Sequence, residues 1–193
     1  MAGIRYAEKS PYTGTKPENV SDVMPTPTRV SNESYETIKA NVDKVPAESA
    51  KKKGVARDFY EKIFKKKGRQ RVAVRDVMFD GTEYIVDINR SAANELSKFG
   101  VNVNDAIVLE NIDDIVANGR FLESGNYDRH GSKNRNVLRY DYFESFIVIN
   151  GAPKRVTFDV EVYKRVNNYK THGKLHEISR ECESFSVKND LLR

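Results

Sequence analysis

The sequence has few residues that build covalent or metal-bound frameworks, since its 193 residues include one cysteine and three histidines. Cys182 alone excludes an internal disulfide and the cysteine clusters that hold structural zinc or iron–sulfur centres. No run of about 18 apolar residues is present, and the first residues lack the apolar stretch of a secretion signal. We therefore expect a soluble protein of a reducing compartment that makes no membrane contact.

Proline is scarce beyond residue 50, because five of the six prolines precede it among Ser, Thr, Asn and Glu. Such a stretch buries little apolar surface, so residues 1–54 are predicted to form an extended, partly disordered N-terminal arm. Within it, Tyr35–Val45 carries a helical stripe, which predicts a short helix docked on the body. Residues 55–193 are long enough for a single domain.

A helix and a hairpin are predicted at the start of this domain. Apolar residues at helical spacing begin near Val55, and Gly68 follows a lysine run, which favours an amphipathic helix with a glycine stop. Two β-prone runs, 71–79 and 82–88, flank the turn dipeptide Asp80-Gly81. This arrangement predicts a β-hairpin.

Two more helices and a polar loop are predicted next. Ser91 can cap a helix that ends at Phe99-Gly100, and Asn104 can cap a longer apolar helix that ends at Asn118-Gly119. Residues 120–136 are polar and contain glycines, so they are predicted to form a surface loop.

The last third of the chain predicts an antiparallel meander of three strands. Val137–Ile149 is a nearly continuous apolar and aromatic run, as in a strand covered on both faces, and Asn150-Gly151 supplies a hairpin turn. Residues 156–163 alternate between apolar and polar, and a last strand covers about residues 174–179. The predicted fold is α+β, with helices packed on a curved antiparallel β-sheet.

A strongly basic segment, residues 51–75, holds eleven Lys and Arg against two acidic residues, a local charge of +9. Since the whole chain carries +5, the remainder is at −4. This field favours RNA or another nucleic acid as a partner, with Lys65, Lys66 and Lys67 as candidate phosphate contacts. The alternative is that these lysines complement the dipole at the end of their helix and are otherwise solvated surface.

The three histidines all lie in the last third of the chain. His172 and His176 flank Lys174, and period-two geometry brings Lys174 and His176 to one face of a strand. Cleavage of RNA without a metal needs a base for the 2′-OH, an acid for the departing 5′ oxygen and a cation for the charged transition state. The candidate catalytic residues are therefore His130, His172, His176 and Lys174. The alternative is that exposed histidines near turns have no catalytic role.

Arginines and tyrosines near these histidines are candidate substrate contacts. Arg129 and Arg135 flank His130 in the polar loop at a spacing that suits a phosphate clamp. Tyr140 and Tyr142 can stack on unpaired bases, or their rings can pack within the protein instead.

Metal-dependent cleavage is the weaker alternative. Asp141, Asp159 and Glu161 offer carboxylates for magnesium, but Glu161–Lys164 has one residue too many for the D…(D/E)-x-K nuclease pattern. The sequence also lacks a glycine-rich phosphate loop, a serine-hydrolase motif and a zinc-binding histidine pair. No cofactor or metal is expected.

Several segments together resemble domains of phage and mobile-element polyvalent proteins: Asn111–Gly119, Leu138–Phe143, Phe146–Gly151, Val156–Val160 and Lys174–Ile178. Such domains are similar to the barnase/EndoU/colicin/RelE-like (BECR) ribonuclease superfamily. The resemblance implies a metal-independent endoribonuclease fold, used by phages or polymorphic toxins, with active residues on the sheet face and neighbouring loops. It matches His176 to a histidine near the end of the last strand and His130 to the basic loop, with weaker matches at Lys174 and Arg135.

Two functions follow as hypotheses. The first is RNA cleavage by histidine acid and base chemistry, in the cytoplasm of a bacterial host or associated with a virion. The second is a non-catalytic role, either as a virion protein whose arm threads between neighbouring virion proteins or as a nucleic-acid-binding accessory protein.

Overall fold

The computed structural model describes residues 18–19, 24–79, 81–126, 137–163 and 172–178. Its helices are α1 (Asn32–Asp43), α2 (Ala47–Ala50), α3 (Lys53–Lys67), α4 (Ser91–Leu96), α5 (Val103–Glu110) and α6 (Ile112–Ala117), with a 3-10 turn at Ser97–Phe99. Its strands are β1 (Glu18–Asn19), β2 (Thr28–Arg29), β3 (Gln70–Phe79), β4 (Thr82–Ile88), β5 (Arg120–Asn126), β6 (Val137–Ile149), β7 (Ala152–Tyr163) and β8 (His172–Ile178).

The eight strands form one sheet in the order β1-β3-β4-β8-β7-β6-β2, and β5 also pairs with β6. The predicted meander is confirmed, since β6, β7 and β8 pair antiparallel. Two parallel pairs, β4 with β8 and β2 with β6, were not predicted. The sheet curls, because β1 and β3 near one end of this order contact β5 at the other.

Both predicted hairpins are present. Ile149 pairs with Ala152 across a two-residue turn, in which Asn150 and Gly151 have φ values of +51° and +76°. Asn-Gly favours this turn because both positions need a positive φ. At the other hairpin, Phe79 at the end of β3 pairs with Thr82 at the start of β4.

The helix predicted to end at a glycine is confirmed as α3. Gly68 has a φ of +74°, and its N–H donates to the carbonyl of Phe64, which terminates the last turn. Lys65, Lys66 and Lys67 therefore lie at the negative end of the helix dipole.

The other two helices start at different residues from those predicted. Ser91, the predicted cap, is instead the first residue of α4. Its N–H donates a hydrogen bond to the side-chain oxygen of Asn89. Asn102, rather than Asn104, caps α5 by accepting from the Asp105 N–H at 2.8 Å. These asparagines satisfy N–H groups that the first helical turn leaves without partners.

The predicted long apolar helix is divided in two at Asn111. The residue has φ and ψ of −110° and 20°, outside the helical region, and it separates α5 from α6. Its side-chain amide donates to the carbonyl of Ile107 at 2.8 Å. This bond occupies a carbonyl at the end of α5 and so favours the break.

The surface loop predicted for residues 120–136 was wrong over its first part, which forms strand β5. The polar composition of this segment is typical of a loop, but here polar side chains bond across to the neighbouring strand β6. Arg120 pairs with Glu144, and the Ser124 hydroxyl donates to Asp141 at 2.6 Å. The ring of Phe121 also packs edge-on against Phe143. Residues 127–136 lie outside the described part of the chain.

Helices α4 and α6 lie against one face of the sheet, which we call the helix face, and α3 and α5 pack on these helices. Its core includes Tyr84, Val86, Phe143 and Phe158, all fully or almost fully buried. The rings of Phe143 and Phe158 stack with centroids 5.2 Å apart. The other side of the sheet is called the second face, and strand alternation places Ile85, Asp87, Tyr140, Tyr142, Asp159 and Glu161 on it.

The described residues before α3 pack on this body. Ile38 of α1 is buried in the core, as expected for the helix predicted over residues 35–45, and the Val30 N–H donates to the carbonyl of Val148 at 3.0 Å. The division of the chain at residues 54 and 55 remains a prediction. Among the described helices, none is long and apolar enough to cross a membrane.

Candidate functional site

Strand β8 carries three of the candidate catalytic residues and lies in the middle of the sheet. It pairs parallel with β4 on one side and antiparallel with β7 on the other. His172 is the register partner of Ile85 on β4. Two neighbouring strands therefore hold the backbone of β8, which positions His172 and Lys174 on a fixed frame.

Lys174 lies between two acidic register partners, Asp87 on β4 and Glu161 on β7. Asp87 also accepts a hydrogen bond from the guanidinium of Arg69 at 2.9 Å. Glu161 is only 5% exposed. The register positions on both sides of Lys174 are therefore acidic.

The strict alternation predicted for Lys174 and His176 is interrupted. Leu175 pairs with Val160 and Glu177 with Asp159, so the register shifts between these pairs and His176 lies at the shift. Such an irregularity changes the direction of a strand and the aim of its residues. The structure describes the backbone of residues 172–178 and not the contacts of their side chains.

The two candidate stacking tyrosines differ in their access to solvent. Tyr140 is fully buried, so the packing alternative holds for this ring. Tyr142 is half-buried, and a Cβ added to Gly125 would lie 2.7 Å from its ring. The ring therefore rests directly on the backbone of β5, which fixes its position on the second face.

The three carboxylates considered for magnesium do not share a site. Asp159 and Glu161 belong to the second face, whereas Asp141 is the register partner of Val160 on the helix face. Asp141 is fully buried and accepts hydrogen bonds from Tyr84 at 2.8 Å, from Ser124 at 2.6 Å and from Arg139 at 2.8 Å. These bonds satisfy its charge, which gives it a structural role.

Burial changes the acidity of the tyrosine in this group. Tyr84 lies in the core, and its burial, followed by the nearby Asp141 carboxylate, raises the pKa of its hydroxyl well above 10.0. The hydroxyl is therefore a hydrogen-bond donor at neutral pH. Tyr84 and Asp141 join β4 to β6, two strands that are not neighbours in the sheet.

The sequence analysis missed a charged triad that joins three strands. Glu144 on β6 is 4% exposed and accepts from Arg120 on β5 at 2.9 Å and from Arg155 on β7 at 2.8 Å. Both arginines keep about a third of their side-chain surface exposed, at 33% and 34%. Two guanidinium groups around one carboxylate leave a net charge of +1 near the second face. The sequence signal for this triad is an arginine on each of the two strands that flank the strand of Glu144. It can be recognised only when β5 is known to pair with β6.

The candidate phosphate-binding lysines on α3 are not equivalent. Lys67 forms an ion pair with Asp113 on α6, and its side chain is 19% exposed. Lys65 and Lys66 are exposed. In the described part of the chain, neither takes part in an ion pair. Of the three candidate lysines, Lys65 and Lys66 are therefore available to an anionic partner.

The remaining predicted site residues are Arg129, His130 and Arg135, which lie outside the described residues. The strands on either side of their segment, β5 and β6, pair antiparallel from Asn126 and Arg139 onward. In the residues that the structure describes, no group of three or more His, Cys, Asp or Glu is arranged to hold a metal ion.

Comparison with known proteins gives one family. The model of the family described as large polyvalent protein-associated domain 3 matches residues 48–173. The match runs from α2 to the second residue of β8, so it includes His130 and His172 and ends just before Lys174. No curated protein and no solved structure matches the chain.

Proposed function

Because the chain belongs to the large polyvalent protein-associated domain 3 family, we propose that it is a metal-independent endoribonuclease domain of phage or mobile-element origin. The family match supports the phage-related context. The observation that supports a site is the place of β8 between β4 and β7, where the sheet fixes the backbone of His172 and Lys174. In this proposal the domain is a member of the BECR superfamily.

The proposed reaction transfers two protons and breaks one phosphodiester bond. One imidazole of the pair His172 and His176 takes the proton of the ribose 2′-OH, and the 2′ oxygen attacks the phosphorus. The bond to the 5′ oxygen breaks, and the other imidazole protonates that oxygen. The products are a 2′,3′-cyclic phosphate and a 5′-OH end. Imidazoles suit both transfers because they titrate near neutral pH.

The charge on the phosphate is assigned to basic side chains. Lys174, Arg129 and Arg135 hold the non-bridging oxygens, which carry more charge in the transition state than in the substrate. His130, in the same segment of the chain as the two arginines, is a further candidate acid or base. The exposed Lys65 and Lys66 attract the rest of the RNA by their long-range field.

A second function is favoured by one specific observation. Both register partners of Lys174 are carboxylates, Asp87 and Glu161, and these groups repel a phosphate. If they neutralise Lys174, strand β8 supplies no cation for the phosphate in the transition state. The chain is then a non-catalytic nucleic-acid-binding accessory or virion protein that uses the lysines of α3.

The test is incubation of the purified full chain with total tRNA in the presence of EDTA. The nuclease predicts fragments that end in 2′,3′-cyclic phosphate, which His176→Ala reduces by about 100-fold or more, the usual worth of one proton transfer. Expression of the native chain should also be more toxic to bacteria than expression of His176→Ala. Absence of cleavage together with equal toxicity favours the accessory or virion protein.

A further inference from the structure

A groove of about 750 Å³ lies between α1 and α3. Its floor is apolar and includes Ile38, Phe59 and Ile63. The volume is within the range of pockets that hold small organic ligands, and it exceeds what one water or ion needs. It lies apart from β8, since none of its lining residues belongs to the sheet.

The two helices give the groove walls of different chemistry. On α1, Ser34, Thr37 and Asn41 follow each other at helical spacing, so hydroxyl and amide groups line one wall. On α3, Lys62 and Lys66 are four residues apart and line the other. Hydroxyl and amide groups both donate and accept hydrogen bonds, as the edges of nucleobases do.

The lysines on this wall are available to a ligand. Both are exposed, and in the part of the chain that the structure describes neither Lys62 nor Lys66 forms an ion pair. A third lysine, Lys44, lines the groove and donates to Asn41 at 3.3 Å. Two carboxylates, Glu33 and Glu110, line it as well, which leaves an excess of one positive charge.

We propose that the α1–α3 groove binds unpaired nucleotides of a single-stranded RNA, with the bases on the apolar floor and the phosphates at Lys62 and Lys66. Phe59 and Ile63 supply surface for a base face, and the polar residues of α1 meet its edge. In a duplex the base faces are stacked on each other, so only single strands can use this floor. The proposal rests on the proposed function, from which it takes RNA as the ligand, and it adds that this RNA is single-stranded.

Helix α1 precedes the residues that match the family, which begin at residue 48. The groove therefore combines a helix of the matched domain, α3, with a helix outside it. An acidic peptide offers charge to the same lysines, but it does not combine a planar base face with the polar edge of that base in every repeating unit, as a single-stranded RNA does. A nucleotide accounts for all three surfaces.

The test compares two pairs of charge reversals in the full chain. Lys62→Glu with Lys66→Glu removes the groove lysines, whereas Lys51→Glu with Lys52→Glu makes the same charge change on exposed residues just before α3 that do not line the groove. Fluorescence anisotropy measures binding of a labelled ten-nucleotide uridine RNA and of a ten-base-pair RNA duplex. We expect the groove pair to weaken single-strand binding about tenfold more than the control pair, with equal effects on the duplex.

A neutral variant separates shape from charge. Thr37 is exposed on the groove wall, so Thr37→Phe fills the groove without changing the charge. It should weaken binding of the uridine RNA and leave duplex binding unchanged. Three results would each overturn the groove assignment. They are equal losses of RNA affinity from the two lysine pairs, no effect of Thr37→Phe on RNA binding, and displacement of the RNA by an oligoglutamate peptide at equal charge concentration. Cleavage of tRNA is a separate readout, so failure of the nuclease and failure of the groove are distinguishable.

Discussion

Lys174 on β8 is the register partner of Glu161 on β7, a carboxylate that is 5% exposed. The pairing gives an acidic register partner to the residue that is proposed to bind phosphate. It also gives a way to measure whether that cation faces RNA, since the carboxylate and the phosphate compete for the same charge.

Glu161→Gln keeps the shape of the side chain and removes its charge. If Lys174 binds phosphate, the variant should bind RNA about two- to fivefold more tightly, because one repulsive charge is lost from the face. Affinity is measured by anisotropy at constant salt, beside the unfolding free energy of the variant. Glu48→Gln, an exposed change on α2, is the matched control. Weaker binding by Glu161→Gln at unchanged stability would contradict a phosphate contact at Lys174.

Reversal of Lys65, Lys66 and Lys67 to Glu should flatten the salt dependence of RNA binding. Each lost phosphate contact lowers the slope of log K against log salt by about 0.7 to 0.9. The single change Lys67→Glu should alter the slope least, because Lys67 is already paired with Asp113. The slope is measured between about 50 and 200 mM salt. A slope unchanged by the triple variant would leave these lysines as solvated surface.

The bond between Tyr84 and Asp141 should contribute measurably to stability. Tyr84→Phe removes a donor to a buried carboxylate, so we expect a loss of about 1.5 to 3 kcal/mol in the unfolding free energy. The measurement is urea denaturation. Tyr35→Phe is the control, since Tyr35 packs against the core and its hydroxyl makes no hydrogen bond within the described residues. A loss no larger than that of the control would show that Asp141 does not depend on this donor.

The dependence of the unfolding free energy on alkaline pH gives a second test of Tyr84. Burial raises the pKa of Tyr84 above its value in the unfolded chain. The unfolded state therefore releases its proton first, and stability that is present below about pH 10 falls as the pH rises above it. Tyr84→Phe removes this contribution, so its stability should decline less steeply above pH 10 than that of the native chain.

The free energy of unfolding should fall at low pH, because Glu61 becomes protonated there. A hydrogen bond from the Arg90 side chain lowers the pKa of Glu61, with a smaller effect from the nearby Arg57. Stability from this group is present above the unfolded pKa, about 4.3, and is lost as the pH falls through the folded value. Glu61→Gln should flatten the acid limb of a stability-against-pH curve. Its effect should shrink when Arg90→Ala is already present, and two additive effects would argue against coupling.

Sequence reasoning succeeded where a structure is determined by residues close together in the chain. The turn at Asn150-Gly151 and the end of α3 at Gly68 both need a positive φ, which these residues adopt at low cost. The strand Val137–Ile149 was predicted with its observed bounds because its composition is typical of a strand covered on both faces.

It failed where the partner is distant in sequence. Tyr84 and Asp141 are 57 residues apart, and nothing in either local pattern reveals their bond. The parallel pairing of β4 with β8 likewise joins residues 85 and 172. Strand β5 looked like a loop because its pairing depends on Glu144 and Asp141, on a strand more than ten residues away in sequence.

The candidate site shows the same division. Composition identified the basic segment, but only the structure distinguishes Lys67, paired with Asp113, from the exposed Lys66. The alternation rule placed Lys174 and His176 on one face, whereas a register shift lies at His176. Such an irregularity depends on the partner strand, so the sequence of β8 alone does not predict it.

The most direct test of the nuclease is cleavage of one labelled RNA in EDTA, compared with the same strand carrying 2′-deoxyribose throughout. Proton abstraction from the 2′-OH predicts cleavage of the ribose strand alone, with loss of about 100-fold or more in rate for His176→Ala and for His172→Ala. Cleavage of both strands, or rates for the two variants equal to that of the native chain, would contradict histidine-catalysed attack by the 2′ oxygen.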